Sequence, residues 1–364
     1  MPAGAWALLA VVALAFPLVA VAVVLVALLD RAVTGPPRPS RMSARRAAAA
    51  ALVLGCAAPP PGDPGAVRAA PPRVHREAVC APLPPHEGLD AFGRRYFDRP
   101  EWERARRSGV ECRQLTYESD GFEVNGYVLA PATAGRQRLP AIIYNRGGTG
   151  DYGRIDPLTL AEMGLLAEEG FVVAASDYRY VGSLSRRDEW GGAEVADVTN
   201  LLPLLAARSD VDARDLFMLG VSRGGLMTYL AIRRGAPLRA AAVIAGPTDL
   251  TRFAVDRPEF VAGDDDYDGW ARIWPDYARR AREHLEARSP VCWPGEVKVP
   301  VLILHSRTDR MVAVEHALAL AGRLQEVGRE YELVVYGDDG HSLPRHREDR
   351  NRRILEWFRS HRAP

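Results

Sequence analysis

Lysine is almost missing from this chain. Of its 47 basic residues only Lys298 is a lysine, and the others are arginines. They face 46 acidic residues, so the net charge is +1 and neither sign is in excess. Such a balance shows no concentrated basic face and speaks against a nucleic-acid partner. Cysteine is scarce too: Cys56, Cys80, Cys112 and Cys292. No two of them have the close spacing of a zinc site or a redox dithiol. Cys56 falls in a segment with targeting character. The other three allow at most one disulfide among themselves, Cys80 with Cys112 if the chain is exported, and otherwise remain thiols. There is no internal repeat. The acidic run Asp264-Asp265-Asp266 reads as a solvated loop, with a metal loop as the alternative.

What is present begins with Ala5 to Leu29, a stretch without a charged residue. It is long enough to span a bilayer, even with Pro17 inside it. Arg31, Arg38, Arg41, Arg45 and Arg46 follow it, and no basic residue precedes it. Taken alone, that asymmetry leaves the following chain in the cytoplasm. A second signal competes. Met42-Ser43-Ala44-Arg45-Arg46, the apolar run Ala47 to Leu54 and then Gly55-Cys56 resemble a bacterial lipoprotein signal, with Cys56 as the lipidated residue. Leu54 departs from that pattern, where a smaller residue is usual. If the second signal is the real one, translation starts at Met42 and the chain after it sits outside the cytoplasm. Either way residues 1–56 associate the chain with a membrane. Residues 57–86, with Pro59-Pro60-Pro61, Pro71-Pro72 and Pro84-Pro85, read as an extended linker. Residues 87–364 are then one folded domain.

Within that domain, strand-like and helix-like runs alternate. Val110 to Ser119 and Phe122 to Ala130 read as a hairpin turning at Asp120-Gly121. Further strands are expected at Ala141–Asn145, Phe171–Ser176, Leu216–Gly220, Ala240–Ala245, Val301–His305 and Tyr331–Tyr336. Helices are expected at Leu158–Glu169, Glu189–Ala207, Gly224–Arg233, Val314–Val327 and Arg345–Ser360. The alternation predicts an α/β fold with a mostly parallel sheet, helices on both faces and an antiparallel hairpin at its start. Residues 247–296 interrupt it. They hold several aromatics and a helix-like run from Trp274 to Arg288, and they read as a lid insertion.

One pentapeptide carries chemistry. Gly220-Val221-Ser222-Arg223-Gly224 sits between a buried strand and an apolar helix start, the setting of a nucleophile elbow. A serine hydroxyl attacks only when a base takes its proton. His341 lies in a loop leaving the strand Tyr331–Tyr336, at the sheet edge where Ser222 emerges, and is the expected base. Asp309 lies in the loop after Val301–His305 and is the expected acid, holding the other imidazole N–H. Asp338 and Asp339 are rivals, disfavoured by their closeness to His341 in sequence. The oxyanion needs two donors. The backbone N–H groups of Arg223 and Gly147 are the candidates, the second from the loop Asn145-Arg146-Gly147-Gly148. Arg146 and Tyr178 are candidates for substrate binding. No cofactor or metal is required.

From about Arg136 to Phe358 the chain resembles the catalytic domain of the prolyl oligopeptidase family of serine peptidases. Besides the elbow, the likeness rests on Asp188-Glu189-Trp190-Gly191-Gly192-Ala193-Glu194-Val195-Ala196-Asp197-Val198. It rests also on Ser289-Pro290 ahead of Val299-Pro300-Val301-Leu302-Ile303-Leu304-His305. The resemblance implies an α/β-hydrolase fold and the same triad of Ser222, Asp309 and His341. It implies hydrolysis of small peptides, with short acyl esters as the other substrate class and a catalytically inactive, membrane-tethered binding module as a third reading. Arg146 departs from the family, which often carries tyrosine or histidine before the glycine pair. The residues ahead of the core are too few for the family's β-propeller, which keeps ester hydrolysis open.

Overall fold

The computed structural model describes residues 70–132, 137–182, 188–263 and 268–364. The membrane-span and lipoprotein readings and the acidic run at 264–266 lie outside the described residues. Among the described residues, no helix is long and apolar enough to cross a membrane.

Nine strands form one sheet, in the order β1-β2-β3-β5-β4-β6-β7-β8-β9. They are β1 Val74–Val79, β2 Val110–Ser119, β3 Phe122–Pro131, β4 Leu139–Asn145, β5 Val172–Ser176, β6 Val211–Val221, β7 Ala240–Ile244, β8 Val301–Ser306 and β9 Tyr331–Tyr336. The first three pair antiparallel, and β3 meets β5 antiparallel. From β5 to β9 every pairing is parallel. Strands β4, β5, β7 and β8 are buried end to end, and β6 is buried from Asp215 to Gly220. This is what a sheet covered on both faces requires, and it explains their Val, Ile, Leu and Ala content. Two apolar clusters flank the sheet. One centres on Met218, Leu226 and Tyr229, the other on Ile142, Phe217 and Phe358.

The hairpin of β2 and β3 turns where the sequence placed it. Asp120 and Gly121 both take positive φ, at 49° and 83°, as a two-residue turn requires. Strand β1 lies inside the segment 57–86 read as a linker. It pairs with β2, and a disulfide joins Cys80 to Cys112 just past its end. The short helices Ala91–Tyr96 and Arg99–Arg107 follow, capped by Asp90 and Asp98. Neither was legible in the hydrophobic pattern.

The expected helix Glu189–Ala207 is shorter than the sequence suggested. Its residues 189–194 form a loop, with Trp190 at φ 51° and Gly191 at φ 91°, and helix begins only at Val195. The insertion 247–296 is a set of short helices whose aromatics pack together. Trp270 is fully buried, stacks on Trp274 at 4.9 Å and meets Trp190 edge-on at 5.2 Å. The expected helix Trp274–Arg288 begins instead at Tyr277, because Pro275 bars its predecessor from helical geometry.

Candidate active site

Strand β6 ends at Val221 and the helix Arg223–Arg233 begins two residues later. Ser222 makes the whole turn, with φ 56° and ψ −126°. A non-glycine residue holds that conformation only where its surroundings impose it. Here the chain is crowded on every side. A Cβ on Gly220 would stand 2.3 Å from the carbonyl oxygen of Gly224, and one on Gly224 would stand 1.9 Å from that of Asn145. The elbow therefore closes only with glycine at both positions.

Asp309 and His341 meet at the same sheet edge. The Nδ1 of His341 is 2.8 Å from Oδ2 of Asp309. The other carboxylate oxygen accepts the backbone N–H groups of Met311 and Val312. Burial alone would raise the pKa of this carboxyl. Its hydrogen bonds to His305 and His341 outweigh burial and hold it far below the usual carboxylate range. Asp309 is thus an acceptor across the working pH range. Ser222 and His341 both line a 530 Å3 cleft over the sheet edge. The rivals of Asp309 are engaged elsewhere. Asp339 accepts from the N–H groups of Gly340, Arg345 and His346, and the side chain of Asp338 is exposed. His305 is a contact that sequence reasoning missed. It is buried, with Nε2 3.5 Å from Oδ2 of Asp309 and 2.9 Å from the Val312 carbonyl. Its position four residues before Asp309 was the available signal.

Gly147 borders Ser222. A Cβ there would stand 3.2 Å from the Cβ of Ser222. Arg223 opens the helix after the elbow, and no carbonyl of its own helix can accept its N–H. Both residues line the cleft. The two residues expected to bind substrate lie differently. Arg146 is 1% exposed. Its guanidinium makes five hydrogen bonds to backbone carbonyls: to Asp177 twice and to Gly147, Gly150 and Tyr152 once each. An arginine has five N–H donors, so Arg146 has none left for a substrate. Tyr178 is also buried, with its hydroxyl donating to the Arg146 carbonyl at 3.1 Å. Tyr178 does not line the cleft, whereas Arg146 does, with its guanidinium turned to the loop carbonyls that need buried donors.

A buried ion cluster completes the wall. Arg223 reaches both oxygens of Asp188, at 2.5 and 2.6 Å, and Glu194 at 2.8 Å. Burial, then repulsion by Asp188, push the Glu194 carboxyl up to about 7 against the pull of Arg223. The sequence shows these acids as part of a motif but does not reveal that they meet Arg223. Among the described residues, no cluster of His, Cys, Asp or Glu is set to hold a metal ion.

A model of the prolyl oligopeptidase family matches residues 158–363, more than half of the chain. The chain belongs to the prolyl oligopeptidase family. Members of that family are serine hydrolases of the peptidase class, and this chain is one. It is 25% identical over 254 residues to an uncharacterized peptidase, YtmA, of Bacillus subtilis, covering 69% of this chain and 94% of that protein. A second B. subtilis protein, the uncharacterized peptidase YuxL, is 27% identical over 66% of this chain, but only 38% of its own length is covered. Among solved structures, the acylaminoacyl peptidase of Pyrococcus horikoshii superposes with a TM-score of 0.56 at 22% identity, over 70% of this chain and 42% of that one. A puromycin-hydrolyzing peptidase of Mycobacterium tuberculosis gives a TM-score of 0.59 at 22% identity, over 70% and 40%. The chain thus spans nearly all of one relative but well under half of the longer members. Their likeness establishes the shared α/β-hydrolase fold.

Proposed function

We propose that this prolyl oligopeptidase-family member hydrolyses short peptides through an acyl-enzyme formed on Ser222. His341 takes the hydroxyl proton as Ser222 attacks the carbonyl carbon. The developing oxyanion is held by the N–H groups of Gly147 and Arg223. His341 then protonates the leaving amine, and water attacks the acyl-enzyme with the same residue as base. Asp309 holds the imidazole tautomer and faces the imidazolium that forms. The observation that carries this reading is the 2.8 Å contact of His341 with Asp309, on an imidazole that lines the same cleft as Ser222. The cleft walls supply apolar contact from Trp190, Phe253 and Phe260 on the lid side, which favours a substrate with an apolar residue on its acyl side. The same walls suit an apolar acyl ester.

The test is labelling with a fluorophosphonate. The wild type should be labelled at Ser222 and Ser222→Ala should not. Hydrolysis of aminoacyl amides against short acyl esters then separates peptidase from esterase. A wild type that resists the probe as fully as Ser222→Ala would leave the inactive binding module as the better reading.

We further propose that the enzyme is exported and held at a membrane. The Cys80–Cys112 disulfide favours an oxidising compartment, and the basic-apolar-Cys56 run favours a lipid anchor. Mass analysis of the mature N-terminus checks this. A diacylglyceryl Cys56 is the expected result. Cys56 found as a thiol or in a disulfide overturns the lipid form, and an intact Met1 overturns the start at Met42.

A further inference from the structure

The loop beside the nucleophile is held in an unusual way. In a trans peptide the C=O of one residue and the N–H of the next point in opposite directions. Fixing a carbonyl therefore aims the following N–H. Three successive peptide planes are fixed by buried side chains. The carbonyl of Arg146 accepts from the Tyr178 hydroxyl at 3.1 Å. The carbonyl of Gly147 accepts from the Arg146 guanidinium at 3.0 Å. The carbonyl of Gly148 accepts from Arg223 at 2.9 Å. The donors are themselves fixed. Both guanidiniums lie over the Tyr178 ring, 4.7 and 5.1 Å from its centre. The phenol is fully buried, and burial lifts its pKa well above the ordinary value, so it stays a donor at every working pH. Its backbone is fixed as well, since its N–H donates to Ser176 Oγ at 3.0 Å and its φ is 64°.

We propose that Tyr178 and Arg146 are positioning residues that set the peptide planes on either side of Gly147, so that its N–H is presented to the oxyanion. This inference rests on the proposed acyl-enzyme mechanism. The first plane matters most. With the Arg146 carbonyl drawn back to Tyr178, the N–H of Gly147 is directed away from the buried phenol, toward the cleft that Gly147 lines. The second plane prevents the glycine from rotating. Without these donors the loop Gly147–Gly150 has three glycines and little intrinsic preference for one orientation. An oxyanion hole works because its donors are oriented before the reaction. A loop free to turn would sacrifice that.

The test uses the full chain with p-nitrophenyl butyrate and a fluorophosphonate probe. Tyr178→Phe removes one oxygen and keeps the ring. Its kcat should fall roughly tenfold to a hundredfold with KM changed less than about twofold, short of the loss from deleting a donor outright. Labelling of Ser222 should remain stoichiometric but slow by a similar factor. A purely structural role would lower the melting temperature and leave the rates of the folded enzyme unchanged. Tyr178→Phe with wild-type kcat and labelling rate overturns the inference, as does a loss confined to KM. If the phenylalanine variant does not fold, Arg146→Lys serves. It keeps the charge but loses the fork to the Gly147 and Gly150 carbonyls, and it should show the same loss in kcat. Wild-type rates there overturn the inference. A wild type that is itself unlabelled defeats the mechanism instead, so the two failures are distinguishable.

Discussion

At the residue scale the site depends on atoms that are missing. Glycine stands at 147, 220 and 224 because the strand end, the elbow and the loop after β4 approach within van der Waals contact of one another. Gly147 is the position where that closeness is tolerable but not free. A methyl group there would sit 3.2 Å from the Ser222 Cβ and 3.3 Å from the Val221 carbonyl oxygen. On the proposed mechanism Gly147→Ala should therefore fold and lose roughly tenfold to a hundredfold in kcat, because it displaces Ser222 or the Gly147 N–H by a few tenths of an ångström. Steady-state kinetics and a thermal melt on one preparation check this. An alanine variant with wild-type kcat would mean that this loop does not touch the reaction. Gly224→Ala meets backbone at 1.9 Å and should not yield folded protein at all.

At the element scale two additions shape the catalytic core. The first is the N-terminal edge. Strand β1 pairs with β2, and the Cys80–Cys112 disulfide closes a loop over a sequence separation of 32. In the chain-entropy model, such a cross-link stabilises the folded state by roughly 3–4 kcal/mol. The double variant Cys80→Ser, Cys112→Ser should lose stability on that scale in urea unfolding while keeping its turnover, since neither cysteine lines the cleft. Equal unfolding midpoints would show that the β1–β2 pairing is sufficient. The second addition is the insertion between β7 and β8. Its aromatics meet Trp190, which belongs to the motif loop before Val195, so the insertion and the cleft wall share one apolar cluster. Trp270 is its buried centre. Trp270→Ala should cost about 3–5 kcal/mol. Because Trp270 packs on Trp190 and Phe253, which line the cleft, KM for bulky acyl groups should rise more than for acetyl esters. Equal changes for both would separate the cluster from substrate recognition.

At the scale of the whole molecule, the buried charges set how stability responds to pH. Glu194 has a folded-state pKa of about 7, against an ordinary value of 4.5. The folded chain thus holds its proton more tightly than the unfolded chain does. The stabilisation from this group is fully present below pH 4.5 and is lost as the pH rises through 7. Asp309 acts with the opposite sign. Its lowered pKa contributes stability above the ordinary carboxylate range, lost only in acid. Between pH 5 and 8 the melting temperature of the wild type should fall more than that of Glu194→Gln, which has no proton to release. Parallel curves for the two proteins would mean that Glu194 does not titrate in that window.

The α/β class, the β2–β3 hairpin, the parallel strands and the elbow around Ser222 were legible in the sequence. Each is written in local terms: alternation of strand and helix patterns, a two-residue turn, glycines at fixed offsets from a serine. The meeting of Asp309 with His341 was legible through topology, since loops leaving neighbouring parallel strands at the same edge must come close. The contents of the wall behind the site were not. Arg146 and Tyr178 read as polar side chains free to meet a substrate, because a sequence does not tell which way a loop carbonyl turns. The same holds for Asp188 and Glu194, whose motif looks helical until Arg223 draws both carboxylates inward and Trp190 and Gly191 take positive φ. Short helices such as Ala91–Tyr96 carry too few residues for a periodic signal. Local pattern thus determined which elements form and which serine occupies the elbow. Tertiary structure alone decided where the buried donors point, because a desolvated hydrogen bond is satisfied by whatever partner the fold brings near, at any distance along the chain.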